Sequence, residues 1–487
     1  MTLLKESAFS LFGKAYQSIL ALVFIMFISR FLSPTQYGTY RQALLIANTI
    51  NLILLFGANE TISYNYRIID KLKRDQLITN MFVFKLITIL PVTAVLLASG
   101  GALSEMMNNR LLAHYLPVIA ALTFIYTIES LLDSYYLSAG QAVLMGKLQI
   151  AAYTIHYLAA IFLIFWFKNE YYLIVEIAVF ELVKSIVMYG VIINKESFKL
   201  NYNWTYLREL IRFSFPMGVS LILITLNVYV DQIIISMNYL PEDYAVYNNG
   251  AMNIPIVQLF TVTVGSVVLP RLSKEVKEHS FNAGLALWRN AATNTALILI
   301  TFMWLFMIFA KGYISFVFSE RYLASVPIMR VYLLRFMVAF TIYCHLLIVI
   351  DKKRYIALIS FAGVLGNILL SLWFIRVFGM IGAAIATVVI QYFVNSLEIF
   401  TIIHFTHIKL SDIFEFKKLV KIMLTSGSIA ALFAVIAYLF PLGEILNFFV
   451  YGTLYILATY GVYFMTRQID PSLIKTLLKG LSSLKGA

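Results

Sequence analysis

Long apolar runs follow one another along the whole 487-residue chain, Ile19 to Ser29 and Ala291 to Ala310 among them, and 61% of its residues are hydrophobic. A bilayer's hydrocarbon core, about 30 Å thick, is crossed by a helix of about 20 mostly apolar residues. The runs are too long and too unalternating for the strands of a membrane barrel, so helices are the predicted spanning element. Charged and turn-rich breaks divide the chain into fourteen spans, near 10–32, 42–66, 78–100, 111–137, 148–167, 171–193, 211–237, 245–269, 286–310, 325–350, 354–376, 380–405, 418–440 and 445–466. The predicted fold class is an all-α, polytopic membrane protein.

Basic residues near span ends are retained in the cytoplasm. Of the 37 Lys and Arg, 26 fall on one side of the predicted membrane, including Arg67 to Arg74, Lys195 to Arg212, Lys352 to Arg354, Lys409 to Lys421, and Lys475, Lys479 and Lys485. Seven fall on the other, among them Arg30, Arg41, Arg110 and Arg376. This asymmetry predicts cytoplasmic N- and C-termini. It also accounts for the net charge of +13, which sits at helix ends facing an anionic leaflet and does not point to nucleic acid. The first apolar run is long enough to span and lacks a small-residue cleavage site, so no cleavable signal peptide is expected. Cys344, the sole cysteine, excludes a disulfide framework and a thiolate metal site.

The first outer connection carries Pro34-Thr35-Gln36-Tyr37-Gly38-Thr39-Tyr40, and the fourth carries Pro241-Glu242-Asp243-Tyr244-Ala245-Val246-Tyr247. Both read Pro-x-x-Tyr-x-x-Tyr, 207 residues apart, and each leads through another span to a basic inner loop. Six spans, an even number, separate the copies, so a parallel repeat about an axis along the membrane normal is expected. The corresponding domains are a six-helix bundle over 1–200, a second over 201–410, and two additional helices with a cytoplasmic tail over 411–487. Paired bundles rocking about a central site are a common route to alternating access.

Three segments carry a family likeness. Arg30 to Tyr40 resembles the first outer loop of polysaccharide-biosynthesis flippases, the Wzx-like branch of the MATE/MOP superfamily, with Ser33 in place of the usual Gly. Leu269-Pro270-Arg271-Leu272-Ser273-Lys274 is similar to the end of that family's eighth span, and Gly379 to Thr387 to the start of its twelfth. The resemblance implies translocation of an undecaprenyl-pyrophosphate-linked oligosaccharide across a bacterial inner membrane. It further implies membrane lipids, a polysaccharide polymerase and export proteins as partners.

Ionisable groups at membrane depth cost at least about 2.5 to 3.5 kcal/mol on insertion scales, so they should face a cavity or a partner. Arg335 lies near the predicted midplane of the tenth span, too deep to snorkel. Arg330 and Arg335 are five positions, about 140°, apart around a helix. With Lys85 and Arg41 they form the candidate substrate-binding set, a cationic cleft for the lipid pyrophosphate or for acidic sugars, because guanidinium stays charged and offers bidentate donors to phosphate oxygens. Glu60, which follows the weak Gly57-Ala58-Asn59 stretch, and Glu129, Asp133 and Asp231 are candidates for binding H⁺ or Na⁺ as a coupling ion, or for static salt bridges. Glu181 and Lys184, three apart, are expected to neutralise each other along one helix face. Glu176 and Glu398 are expected to reach water, and His156 and His345 to be lone core histidines.

A cation-coupled multidrug antiporter of the MATE type shares the expected fold but would favour an acid-dominated cavity. A peptidoglycan lipid II flippase of the same superfamily remains open. A membrane glycosyltransferase or polymerase would be an enzyme with a substantial outer loop bearing carboxylates or metal ligands; here outer loops are short, and no Asp-x-Asp pair or Gly-rich phosphate loop is present. The chain is therefore read as a non-enzyme, and no cofactor is expected.

Overall fold

The computed structural model describes residues 2–196, 199–252 and 254–468; Lys475, Lys479 and Lys485 lie outside the described residues. Helices occupy most of the chain, with no strand among the described residues. In order they are α1 (Thr2–Phe31), α2 (Pro34–Ile53), α3 (Ala58–Asn65), α4 (Lys71–Ala98), α5 (Gly100–Met106), α6 (Leu111–Ser138), α7 (Ala142–Phe167), α8 (Glu170–Glu196), α9 (Trp204–Asn238), α10 (Pro241–Gly250) and α11 (Pro255–Glu278). There follow α12 (Phe281–Ile308), α13 (Ala310–Phe318), α14 (Ser325–Leu333), α15 (Cys344–Val349), α16 (Lys353–Phe378), α17 (Met380–Thr406), α18 (Leu410–Ile413), α19 (Phe416–Leu439), α20 (Glu444–Leu446) and α21 (Gly452–Met465). Among the described residues nine helices are long and apolar enough to cross a membrane, or ten if the bent pair α2 and α3 forms one span.

The chain divides into two compact units. The first runs up to Asn248 and takes in Val317–Ser319 and Ser360–Ala386; the second comprises Asn249–Phe316, Glu320–Ile359 and the chain from Thr387. In the first unit α6 is the central helix, contacted by α2, α3, α4, α5 and α8, while α1 packs along α7. Leu112, Leu116, Ile119 and Leu122 recur at helical spacing and are all buried. Thr123 and Thr127 on the same helix return their hydroxyls to the carbonyls one turn back, at 2.7 and 2.9 Å, so they carry no unmet donor into the interior. In the second unit α12 plays the central part against α11 and α19, and Thr293, Thr295 and Thr301 use the same device. Ile155, Leu158, Phe162, Phe165 and Trp166 on α7 stay exposed, as a lipid-facing stripe requires.

The predicted eighth span is divided between α10, which ends at Gly250, and α11, which starts at Pro255, and two others, the second and the tenth, are not continuous helices either. The second breaks at residues 54–57 with a bend of 50° between α2 and α3, where Phe56 and Gly57 take positive φ of 41° and 71°. The tenth stops at Leu333, passes through a 3-10 turn at Leu334–Met337, and resumes as α15 only at Cys344. Ser33 caps α2: its hydroxyl accepts the Gln36 N–H at 3.2 Å, and its own N–H donates to Gln36 Oε1 at 3.0 Å. The departure from the family's Gly at this position is thus a helix cap.

Candidate functional site

Backbone carbonyls released by a break at membrane depth need new donors. At the first break Lys85 of α4 supplies one: its ammonium donates to Leu54 O at 2.9 Å and approaches Leu55 O at 3.5 Å, and its side chain is fully buried. At the second break the Tyr392 hydroxyl donates to Leu334 O at 3.0 Å, and Tyr343 donates to Val338 O at 2.8 Å. Arg335 sits in that irregular stretch with its guanidinium 4.9 Å from the centre of the Tyr332 ring, a cation–π contact. Arg330, exposed on α14, donates from Nε to Met307 O at 3.0 Å. Of the four predicted substrate-binding residues, Arg41 and Lys85 belong to the first unit, and Arg330 and Arg335 to the second.

Arg41 is tied into the repeated motif. Its guanidinium donates from Nε to Asn248 Oδ1 at 2.6 Å and makes a second contact to the same oxygen from Nη2. Asn248 in turn donates to Gln232 Oε1 at 3.0 Å and to the Tyr244 hydroxyl at 3.3 Å. Thr35 donates to Glu242 Oε2 at 3.2 Å. Both pairs, Arg41 with Asn248 and Thr35 with Glu242, join positions 207 apart, the offset of the two motif copies. All four motif tyrosines, Tyr37, Tyr40, Tyr244 and Tyr247, are buried, and the Tyr247 hydroxyl donates to Asp231 Oδ2 at 2.8 Å. Asn248 lies one position beyond the Tyr-x-x-Tyr frame, the place that Arg41 holds in the first copy, and shares no residue type with it to mark the match. Exchanging the two residues, Arg41→Asn with Asn248→Arg, should restore most of the stability lost in either single variant, as read by thermal unfolding in detergent. A double variant as unstable as the two losses combined would mean the pair is not interchangeable.

A polar cavity of about 230 Å³ lies within the first unit, lined by Asn48 and Asn51 of α2, Tyr126, Glu129, Ser130 and Asp133 of α6, Gln149 and Tyr153 of α7, and Glu181 and Lys184 of α8. The Lys184 ammonium lies 2.5 Å from Glu181 Oε2 and 2.6 Å from Glu129 Oε1, and donates to the Tyr153 hydroxyl at 3.0 Å. The expected Glu181–Lys184 pair is present, and Glu129 joins it from another helix. Asp133, one turn further along α6, accepts from Gln149 Nε2 at 3.2 Å. Glu60 lies on α3, with Oε2 buried and without a hydrogen-bond partner. The structure therefore brings Glu129 and Asp133 to one cavity, whereas Asp231 belongs to the motif contact and Glu60 to the helix after the first break.

Three expectations about single residues are corrected. Glu176 does not reach water: its Oε1 lies 2.9 Å from His156 Nδ1, and both side chains are buried between α7 and α8. Adjacent antiparallel helices bring side chains distant in sequence face to face, so neither residue is lone. Glu398 is likewise buried, at 8% exposure.

No curated protein matches the sequence. Among solved structures, the lipid II flippase MurJ in an inward closed conformation superposes with a TM-score of 0.75 at 18% identity, over 95% of this chain and 99% of that one. An inward-facing multidrug resistance MATE family transporter of the MOP superfamily gives 0.60 at 15% identity, over 79% and 93%. A MOP superfamily transporter from Pyrococcus furiosus, described by a binding pocket of reverse polarity, gives 0.58 at 14% identity, over 82% and 94%. At such identities these likenesses speak to fold. Residues 3–276, more than half of the chain, match the family described as polysaccharide biosynthesis protein. The chain belongs to the polysaccharide biosynthesis protein family and has the multi-pass, all-helical fold seen in MurJ and MATE transporters.

Proposed function

We propose that the protein is a flippase that carries undecaprenyl-pyrophosphate-linked oligosaccharide units across the bacterial cytoplasmic membrane by alternating access. The proposal includes fourteen crossings with both termini inside, and two parallel six-helix bundles over 1–200 and 201–410 followed by two further helices. The observation that carries the reading is Arg335, a permanent cation in an interrupted helix, at a position that the apolar pattern of the sequence puts near the middle of the membrane. Irregular backbone within a bilayer is tolerated where it lines a cavity or is buried in protein, and such breaks mark binding sites in transporters. A guanidinium there suits a pyrophosphate better than the cationic drugs of a multidrug antiporter. Arg330 is its proposed companion. Arg41 and Lys85, engaged with Asn248 and the Leu54 carbonyl, would meet substrate only in another conformation of the cycle.

The cavity around Glu129 and Asp133 supports a coupling role, with H⁺ or Na⁺ exchanging among the carboxylates as the bundles move; Glu60 and Asp231 are proposed to adjust the same motion. A lipid II flippase remains the alternative reading, favoured by the MurJ-like fold, and would use the same cationic site.

In a deletion strain, lipid-linked saccharide should accumulate on the inner leaflet. Arg335→Ala should fail to restore surface glycan, by at least about tenfold, while inserting in the membrane at the normal level; an effect of that size needs only about 1.4 kcal/mol of lost substrate binding. Normal export by Arg335→Ala would remove this residue from the site. Collapsing the H⁺ and Na⁺ gradients separately tests coupling, and undiminished export in both cases would exclude it.

A further inference from the structure

A trough of about 520 Å³ runs along α4, α6 and α8, away from the polar cavity. Ile78 and Ile192 form part of its floor and are buried, whereas Leu182, Ile186 and Ile193 stand exposed along it. Its lining is almost wholly hydrocarbon. Of the hydroxyls present, Tyr189 donates to Ile128 O at 2.6 Å and Thr79 accepts the Asn201 N–H at 3.2 Å, leaving only Ser185 without a partner. Gly190 presents no side chain to the trough, and outside its own helix backbone no heavy atom lies within 4 Å of the point its Cβ would occupy. A glycine within a helix costs about 1 kcal/mol relative to alanine, so its presence here is not explained by helix stability.

The dimensions and the mouth of the trough identify what fills it. From Leu182 to Ile193 is eleven residue steps along α8, about 16 Å at 1.5 Å per residue, which is about half of a 30 Å hydrocarbon core. At the Ile193 end the segment from Lys199 to Asn203 is strapped to the start of α4: Asn201 bonds Thr79, and Asn203 and Asn80 exchange backbone-to-side-chain bonds at 3.1 Å. This strap carries Leu200, itself part of the lining, between exposed Lys199 on one side and exposed Tyr202 and Trp204 on the other. Lys with amphipathic aromatic side chains is the composition of a headgroup layer. Lys71 and Lys73 are exposed in the first turn of α4. Asp70 caps that helix through the Lys73 N–H, Asp75 accepts the Lys199 N–H at 3.4 Å, and Arg74 is held by the Tyr66 and Ile69 carbonyls, so Lys71, Lys73 and Lys199 are the exposed cations of these two segments.

We propose that this trough binds one anionic glycerophospholipid of the cytoplasmic leaflet, with an acyl chain along α8 from Ile193 to Leu182 and its phosphate at Lys199 and Lys73. The trough is about as long as one leaflet's hydrocarbon is deep, so the much longer polyprenyl tail of the proposed substrate would overrun it. Only the naming of the leaflet rests on the proposed orientation.

The full-length protein, reconstituted in nanodiscs of equal parts phosphatidylglycerol and phosphatidylethanolamine and then released into detergent, is examined by native mass spectrometry. The wild type should retain one phospholipid with about a fivefold preference for phosphatidylglycerol, the effect of about one Lys charge at an anionic surface. Gly190→Trp has room to enter the trough and should release the lipid. Lys199→Glu with Lys73→Glu, both on the surface, should abolish the preference in a protein whose folding is not at issue. Three results would overturn the proposal: no preference in the wild type, an unchanged preference in the double Glu variant, or displacement of the retained lipid by undecaprenyl phosphate, which would hand the trough to the substrate. Since the readout is bound lipid and not exported glycan, failure here is distinct from failure of the flippase reading.

Discussion

Replacing Lys184 by methionine should lower the stability of the protein by about 3 to 5 kcal/mol, the usual cost of removing one partner from a buried ion pair. One ammonium serves two carboxylates, Glu129 and Glu181, and is itself only 4% exposed. Without it, two neighbouring acids of like charge remain in the interior of the helix bundle. The loss should register as a large fall in the unfolding midpoint of detergent-purified protein. Adding Glu129→Gln and Glu181→Gln to Lys184→Met should recover most of it, because a fully neutral set of similar volume avoids the unpaired charge. An unchanged midpoint in Lys184→Met would mean that water in the adjoining cavity already solvates the acids. The pair would then be free to serve ion exchange without a structural role.

A single methyl group at Gly38 should be nearly as damaging. A Cβ there would collide with the Pro241 carbonyl, a backbone atom that cannot swing aside as a side chain does. Gly38→Ala is expected to cost about 1 to 3 kcal/mol, the range for overpacking, and to pull Thr35 from Glu242 and Arg41 from Asn248. The same substitution at Gly461 of α21, which has no neighbour within 4 Å, should instead stabilise by up to about 1 kcal/mol through helix propensity alone. Measuring the two together separates contact from propensity. If Gly38→Ala melted no lower than Gly461→Ala, the two motif copies would not be packed as described.

Features that depend on local pattern were legible in the amino-acid order. Apolar runs disclosed the helices, because a bilayer rewards uninterrupted hydrocarbon, and the spacing of Glu181 and Lys184 disclosed their pairing, because three residues nearly close a helical turn. Features that depend on meeting between helices were not. Glu129 joins Lys184 from another element, and His156 finds Glu176 across a helix pair, so no window of sequence contains either contact. The two breaks differ in the same way. Gly57-Ala58-Asn59 advertised the first, whereas residues 328–350 contain neither glycine nor proline, so the interruption around Arg335 has no local signal. It persists because Tyr392 and Tyr343 take up carbonyls that the helix no longer uses. Lys85 illustrates the ambiguity of a buried cation: charge and position in the sequence suit a phosphate site, whereas its ammonium turns to a backbone oxygen that lies 31 residues away along the chain.

The bonds from Thr35 to Glu242 and from Arg41 to Asn248 have the form of an isologous contact, in which each position meets its own counterpart. If the two motif copies arose by the proposed duplication, this is the patch through which a half-length ancestor would have met its twin. Duplication and fusion would then have enclosed a dimer interface within one chain, releasing the two halves to diverge, as Arg41 and Asn248 have done.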